Sequence, residues 1–201
     1  MKCEILEKSC GMFLNYGFKS VTMDDIADEM GISKKTIYTH FKNKTKLIEA
    51  TTMSLFEMIS SGIDCICKLE KNPIEELFEI KNFIHTNLKD EKSSSHYQLQ
   101  KYYPTIYHTL KMRQLELMDS CVVQNLTRGV KQGLYRKEID IKFISRIYFI
   151  GVTGIKDEET FPSDQFKNNY LTNCFLNYHI RAIATKKGIL KLEKLLLKNE
   201  N

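Results

Sequence analysis

Proline and glycine are scarce in this 201-residue chain, at 3 and 9. A many-turned β fold needs more of both, so the scarcity favours long helices. No C-x-x-C pair occurs among the six cysteines (Cys3, Cys10, Cys65, Cys67, Cys121, Cys174), and Cys65 and Cys67, two apart on a helix, face different directions. Most are expected to be small buried apolar residues in a reducing cytoplasm. The N-terminus, MKCEILEKSCGMF, has carboxylates within its first ten residues and no continuous apolar run. That argues against a signal peptide or a membrane span, and no membrane partner is expected. No long basic arm is expected ahead of the first helix.

Motifs for catalysis are also missing. None of the five histidines (His40, His85, His96, His108, His179) has Asp or Glu three residues before it, so the E-x-x-H pattern of a di-iron bundle is absent. There is no H-E-x-x-H, no phosphate-loop lysine motif and no G-x-G-x-x-G. Neither a metal, a cofactor nor enzymatic activity is expected. His85, His96 and His108 read as solvent-facing or pocket-wall groups.

What is present begins with placed charge. At 42% hydrophobic and 27% charged residues, the chain has an ordinary globular composition, with a mild net charge of +5. The first 60 residues carry eight lysines and eight carboxylates, yet Lys34 to Lys46 holds five lysines (Lys34, Lys35, Lys42, Lys44, Lys46) and no acidic residue. A local cationic face on a neutral domain can hold phosphates without general nonspecific attraction. The other basic zone is the tail, Arg181 to Asn201, with six basic and two acidic residues.

The stretch from Val21 to Lys46, VTMDDIADEMGISKKTIYTHFKNKTK, predicts two short helices joined at a steep angle. Ile26, Ala27 and Met30 share one helix face, and Asp24, Asp25, Asp28 and Glu29 take the other. Thr22 followed by Asp25 signals a helix start, and Gly31 a helix end. Ser33 re-caps the chain for a second helix over about Lys34–Phe41, with Ile32, Ile37 and Phe41 inward. Lys34, Lys35, Thr36, Tyr38, Thr39 and His40 are left outward, a hydrogen-bonding set suited to base edges in a major groove.

The segment GISKKTIYTHFKNKTKLIEA resembles the recognition helix and following helix of the TetR family of transcriptional regulators. The turn glycine, the aromatic pair Tyr38 and Phe41, His40 and the Lys-Asn-Lys run fall in the family's order over about the first 60 residues. The resemblance implies an all-α fold: an N-terminal three-helix helix-turn-helix DNA-binding domain (1–46), then a helical-bundle regulatory domain (47–201) for ligand sensing and dimerisation. It implies a cytoplasmic homodimer on double-stranded DNA, most simply a repressor on a palindromic operator released by a small apolar or amphipathic ligand. Lys34, Lys35, Thr36 and Thr39 are the candidates for base contacts. Thr22, Tyr38, His40 and Lys44 match family positions that grip phosphate. Lys35 stands where the family often has a glycine or another small residue, which suggests a more electrostatic mode of binding.

Further along, helices are expected over Cys3–Tyr16 (with Ile5, Leu6, Met12, Phe13 and Tyr16 inward), Lys44–Cys67 after a cap at Asn43, and onward from Pro73. The polar run Asp90–Ser95 reads as a loop. A helix break near Pro104 precedes a long helix over about Thr105–Gln132, then helices over Asp140–Ile155 and Asp164–Thr185, with Lys187-Gly188 setting off an amphipathic tail. Phe83, Tyr102, Tyr103, Tyr107, Met112, Met118 and Cys121 either line an apolar ligand cavity, as the resemblance implies, or are ordinary core. Asp140–Ile155 and Asp164–Thr185 are apolar on more than one side, with Gly151 and Gly154 admitting a close backbone. They are either central core helices or a four-helix dimer contact involving Ile144, Ile147, Tyr148, Gly151, Phe175 and Tyr178. The basic tail is expected to close the bundle with its leucines rather than lie on a membrane. Two rivals remain: a helical small-molecule binder or enzyme with a vestigial DNA-binding head, and a constitutive DNA binder with a filled body.

Overall fold

The computed structural model describes residues 1–88 and 93–199. Among these residues the structure is helical, with no strand beyond an isolated bridge between Tyr135 and Ala184. The helices are α1 (Lys2–Tyr16), α2 (Met23–Met30), α3 (Lys34–His40), α4 (Lys44–Lys68), α5 (Pro73–Asn87), α6 (Ser93–Tyr102), α7 (Pro104–Lys131), α8 (Ile141–Gly154), α9 (Asn168–Ile183) and α10 (Lys186–Asn199). They form two compact units. The first holds Met1–Ser60 and Leu88–Arg113, the second Ser61–Asn87 and Gln114–Asn201, so α4 and α7 contribute residues to both.

In the first unit the apolar periodicity of α1 to α4 closes a core of Ile5, Phe13, Ile26, Ile37, Leu47 and Ile48, all fully buried. Phe13 stacks on Phe18 at 5.3 Å, and Phe18 meets the ring of Tyr103 edge-on at 6.4 Å. Leu99 of α6 and Ile106 of α7 are buried in the same core. The first compact unit thus holds more than three helices. Compactness divides the chain elsewhere than at 46/47, the division drawn between a reading head and a body. Tyr16, expected inward, has 66% of its surface exposed, because the helix's buried line runs through Ile5, Ser9 and Phe13.

In the second unit α5, α7, α8, α9 and α10 pack around Ile74, Leu126, Leu176, Ile180, Ile183 and Leu192. Leu192 is fully buried and Leu195 and Leu196 lie against this core, so the tail closes the second unit. A buried polar network crosses this core. Glu76 accepts from Arg128 on one carboxylate oxygen and from Asn125 Nδ2 on the other at 2.8 Å, and the Tyr135 hydroxyl donates to Asn125 Oδ1 at 3.2 Å.

Several expectations need correction. Gly188 does not separate a tail, since it lies inside α10. A Cβ there would come within 2.2 Å of the Leu134 carbonyl oxygen, so the residue serves a close approach. Gly151 admits the Phe175 ring rather than a backbone, and Gly154 has nothing within 4 Å of the Cβ position. α9 starts at Asn168, later than Asp164, after a turn in which Phe166 N–H donates to Pro162 O at 2.9 Å. The cysteines are not buried: Cys3, Cys65 and Cys174 are exposed, and Cys10, Cys67 and Cys121 half-buried. The loop expected over Asp90–Ser95 lies outside the described residues as far as Lys92, and the chain is helical from Ser93.

Candidate nucleic-acid interface

The reading head is assembled by local caps. Thr22 N–H donates to the Asp25 carboxylate at 2.7 Å, and Asp25 N–H returns a bond to Thr22 Oγ1 at 3.1 Å. This reciprocal pair satisfies two free donors at the start of α2. The Thr22 backbone bond, then its hydroxyl, holds the Asp25 carboxyl below the usual carboxylate range. Gly31 ends α2 in the left-handed conformation at φ 63° and ψ 31°, which turns the chain toward Ser33. Ser33 Oγ accepts from Thr36 N–H at 3.1 Å and lies 2.8 Å from Thr36 Oγ1. With Ile37 and the following Phe41 buried, Lys34, Lys35, Tyr38, Thr39 and His40 of α3 are left outward.

The residues expected at DNA are all in the first unit, but their states differ. Lys35, Tyr38, Thr39 and His40 are exposed on α3. Thr39 Oγ1 donates to Thr36 O at 2.6 Å, leaving its oxygen lone pairs and methyl outward. Thr36 is half-buried and engaged with the cap. Lys34 is paired: its Nζ lies 2.6 Å from Asp24 Oδ2, and this bond raises the ammonium's pKa. Lys46 pairs with Glu49 at 2.6 Å. Lys44 is half-buried and donates from Nζ to Lys19 O at 3.1 Å, and burial lowers its pKa. It therefore ties the start of α4 to the turn before α2, next to Thr22. Lys35 and Lys42 are exposed, with no ion pair among the described residues.

Sequence reasoning missed the Asp24 pairing and the turn at Lys19. Neither has a local signal, since each depends on the angle between helices that only the folded head sets.

The candidate pocket residues fall in both units. Tyr103 and Tyr107 pack against the first core, where Tyr102 and Met112 are exposed. In the second unit Phe83 covers Gly62, Met118 lies against the core, and the Cys121 thiol hydrogen-bonds to Cys67. Of the residues expected at a subunit contact, Tyr148 is buried under its neighbours Phe175 and His179. Ile144, Gly151 and Phe175 are half-buried, and Ile147 and Tyr178 are exposed. Phe143 and Ile150 on α8 and Tyr170 on α9, not singled out from the sequence, are also exposed. Among the described residues no helix is long and apolar enough to cross a membrane, and no group of His, Cys, Asp or Glu could hold a metal ion.

Residues 5–51 match the family of bacterial regulatory proteins, tetR family. The HTH-type transcriptional repressor KstR2 of Mycolicibacterium smegmatis is 23% identical over 179 residues, covering 84% of this chain and 85% of its own. The probable acrEF/envCD operon repressor of Escherichia coli (strain K12) is 33% identical over 79 residues, covering 38% of this chain and 35% of its own. Among solved structures, a TetR-family transcriptional regulator from Agrobacterium tumefaciens superposes with a TM-score of 0.74 at 16% identity, covering 92% of this chain and 97% of that one. The ketosteroid transcriptional regulator KstR2 of Mycobacterium tuberculosis gives 0.59 at 19% identity, covering 92% and 95%. At these identities the structures share a fold. The capped helix pair and the exposed α3 fall within the matched segment, so residues 5–51 are similar to the bacterial regulatory proteins, tetR family.

Proposed function

We propose that the protein is a dimeric transcriptional repressor that reads a palindromic DNA site with α3 and is released by a small apolar or amphipathic molecule. The observation that carries this is the outward face of α3. Lys35, Tyr38, Thr39 and His40 are exposed on a helix whose opposite side is locked into the core by Ile37. Lys35 and Thr39 suit base edges, and Tyr38 and His40 suit phosphate, together with Thr22 and Lys44 at adjoining helix starts. Lys34 and Thr36 join the base contacts only by exchanging their present partners, Asp24 and Ser33, for DNA. Relatives that are themselves transcriptional repressors support repression as the direction of control.

One such head reads too short a sequence for selective binding, and a two-fold pair of heads matches a palindrome. The exposed apolar side chains of α8 and α9 are suited to form that pair. For the ligand, the second unit offers Phe83, Met118 and Cys121, and Tyr102, Tyr103, Tyr107 and Met112 belong to the unit that holds the head. α4 contributes residues to both units, so a ligand that prefers one placement of α4 would bias DNA affinity. A coupling of about 1–3 kcal/mol corresponds to about 5–150-fold in affinity.

The test is fluorescence anisotropy of the purified chain with the DNA upstream of its own coding region, over a series of salt concentrations. A salt-sensitive complex with two chains per duplex is expected. The rival reading, a small-molecule binder or enzyme with a vestigial head, predicts no salt-sensitive change. That result, or a strictly monomeric protein, would overturn the proposal.

A further inference from the structure

α6 ends against the turn between α1 and α2. Gln98 Oε1 accepts from Lys19 N–H at 3.0 Å. Gly17, at φ 87°, is in a backbone conformation that favours glycine, and a Cβ there would come within 2.5 Å of the Gln98 amide, which packs directly on it. This contact fixes two lysines from distant parts of the chain. Lys19 Nζ lies 4.8 Å from the centroid of the Tyr102 ring, and Lys101 Nζ lies 5.7 Å from the same ring. Lys101 also donates to Tyr97 Oη at 2.9 Å and lies 5.2 Å from that ring.

Two ammonium groups are therefore held over one exposed aromatic platform. Ring faces attract cations but leave their charge intact. Among the described residues neither Lys19 nor Lys101 has a carboxylate within ion-pair distance, unlike Lys8, Lys34 and Lys46 of the same unit, which pair with Glu29, Asp24 and Glu49. Among the described residues the two charges have no carboxylate counter-ion, and the platform limits the freedom that a free lysine would lose on binding a phosphate. Their position adds the second half of the argument. Lys44 Nζ donates to the Lys19 carbonyl, and Thr22 follows Lys19 by three residues, so the pair continues the row of phosphate-gripping candidates Thr22 and Lys44.

We infer that Lys19 and Lys101, presented on Tyr102, extend the DNA interface beyond the helix-turn-helix by gripping backbone phosphates that flank the segment read by α3. The inference rests on α3 being a DNA reader. It assigns to the end of α6 a role in affinity and register, with no part in choosing bases.

The experiment measures anisotropy of full-length parent, Lys19→Ala, Lys101→Ala and the double variant on one labelled duplex with long flanks and on the same site trimmed at its ends. Each lysine that neutralises a phosphate adds about 0.9 to the slope of log affinity against log salt. With two chains on the duplex each substitution removes two lysines, so the slope should fall by about 1.8 in each single variant and about 3.6 in the double, equally on specific and scrambled sequences. Trimming should weaken the parent and leave the double variant unchanged. A double variant with the parent's slope and affinity on the long duplex overturns this inference while leaving the DNA-reading role intact. If the parent binds no duplex in a salt-sensitive way, the regulator reading itself falls. Because both lysines are exposed, the variants should keep the parent's melting profile, which circular dichroism checks.

Discussion

The Lys34 ammonium at the start of α3 lies 2.6 Å from the Asp24 carboxylate of α2. Both side chains are exposed, so the pair adds little to stability. In the proposed docking its consequence is functional: the Lys34 charge would be neutralised until a phosphate or base competes for it. Asp24→Asn frees that charge without removing bulk. The variant should bind any duplex severalfold more tightly and show a steeper salt slope, by up to about 1.8 with two chains on the duplex. Anisotropy titrations on operator and scrambled DNA check this, and an unchanged slope would mean that Lys34 stays clear of the DNA.

Lys44 and Thr39 should separate affinity from selectivity. Lys44→Ala removes a cation at the start of α4 and its bond to the Lys19 carbonyl. Binding to all sequences should weaken alike and the salt slope should shrink. Thr39→Ala removes a hydroxyl and a methyl from the outward face of α3, so the order of preferred sequences should change. Selection of bound duplexes from a randomised pool reads out the difference. Parent-like binding by both variants would refute docking through α3.

The helices that carry local signals were legible in the sequence. Thr22 with Asp25, Gly31, Ser33, Asn43, Pro73 and Asp140 each mark a boundary that the structure keeps to within a residue. The Asn43 carboxamide, for instance, accepts from Lys46 N–H at 2.9 Å. α6 was not legible. Its polar opening reads as a loop, and what holds it is tertiary: Leu99 in the first core and Gln98 on the Lys19 backbone. Short helices depend on such packing more than on propensity. The same limit hid the Lys34–Asp24 pair and the Tyr102 platform. Gly188 misled for a related reason, since close approach and helix interruption call for the same residue.

Buried charge in the second unit gives a stability test. Glu76 keeps 1% of its surface exposed and depends on Arg128 and Asn125. Arg128→Met strands the carboxylate and should cost about 3–5 kcal/mol, the usual penalty for breaking a buried pair from one side. Removing both charges, as Glu76→Met with Arg128→Met, should recover much of that loss. Urea unfolding midpoints decide it, and a double variant no better than the single would show that the attraction between the two charges does not set the cost.

His179 should make stability depend on pH. It is buried between the rings of Tyr148, at 5.0 Å, and Phe175, at 5.7 Å. Burial pushes its pKa down from 6.5 to about 4. Between those values the unfolded chain binds the proton more tightly than the folded one, so stability rises with pH across the window. It is full above about 6.5 and should fall by about 3 kcal/mol as pH drops toward 4. His179→Leu should flatten that part of the profile. Urea unfolding at pH 7, 6 and 5 tests this, and an equal slope in the variant would assign the pH dependence to other groups.

The outward residues of α8 and α9 supply the last test. Phe143, Ile147 and Ile150 recur at helical spacing on α8, and Tyr170, Cys174 and Tyr178 recur every four residues on α9. Tyr178 has 74% of its surface exposed and Ile150 has 61%. Burying one such side chain is worth about 1.5–3 kcal/mol, so a shared face of this composition suits a stable dimer. The inner residues Tyr148 and Phe175 are already committed to their own unit. A charge in the outer row should therefore divide the dimer without unfolding either chain. Ile150→Lys should sediment as a monomer, keep the parent's helical circular dichroism, and bind the palindrome no better than a half-site. If this variant stays dimeric, the contact lies elsewhere on the surface, and the two heads must be paired through other helices.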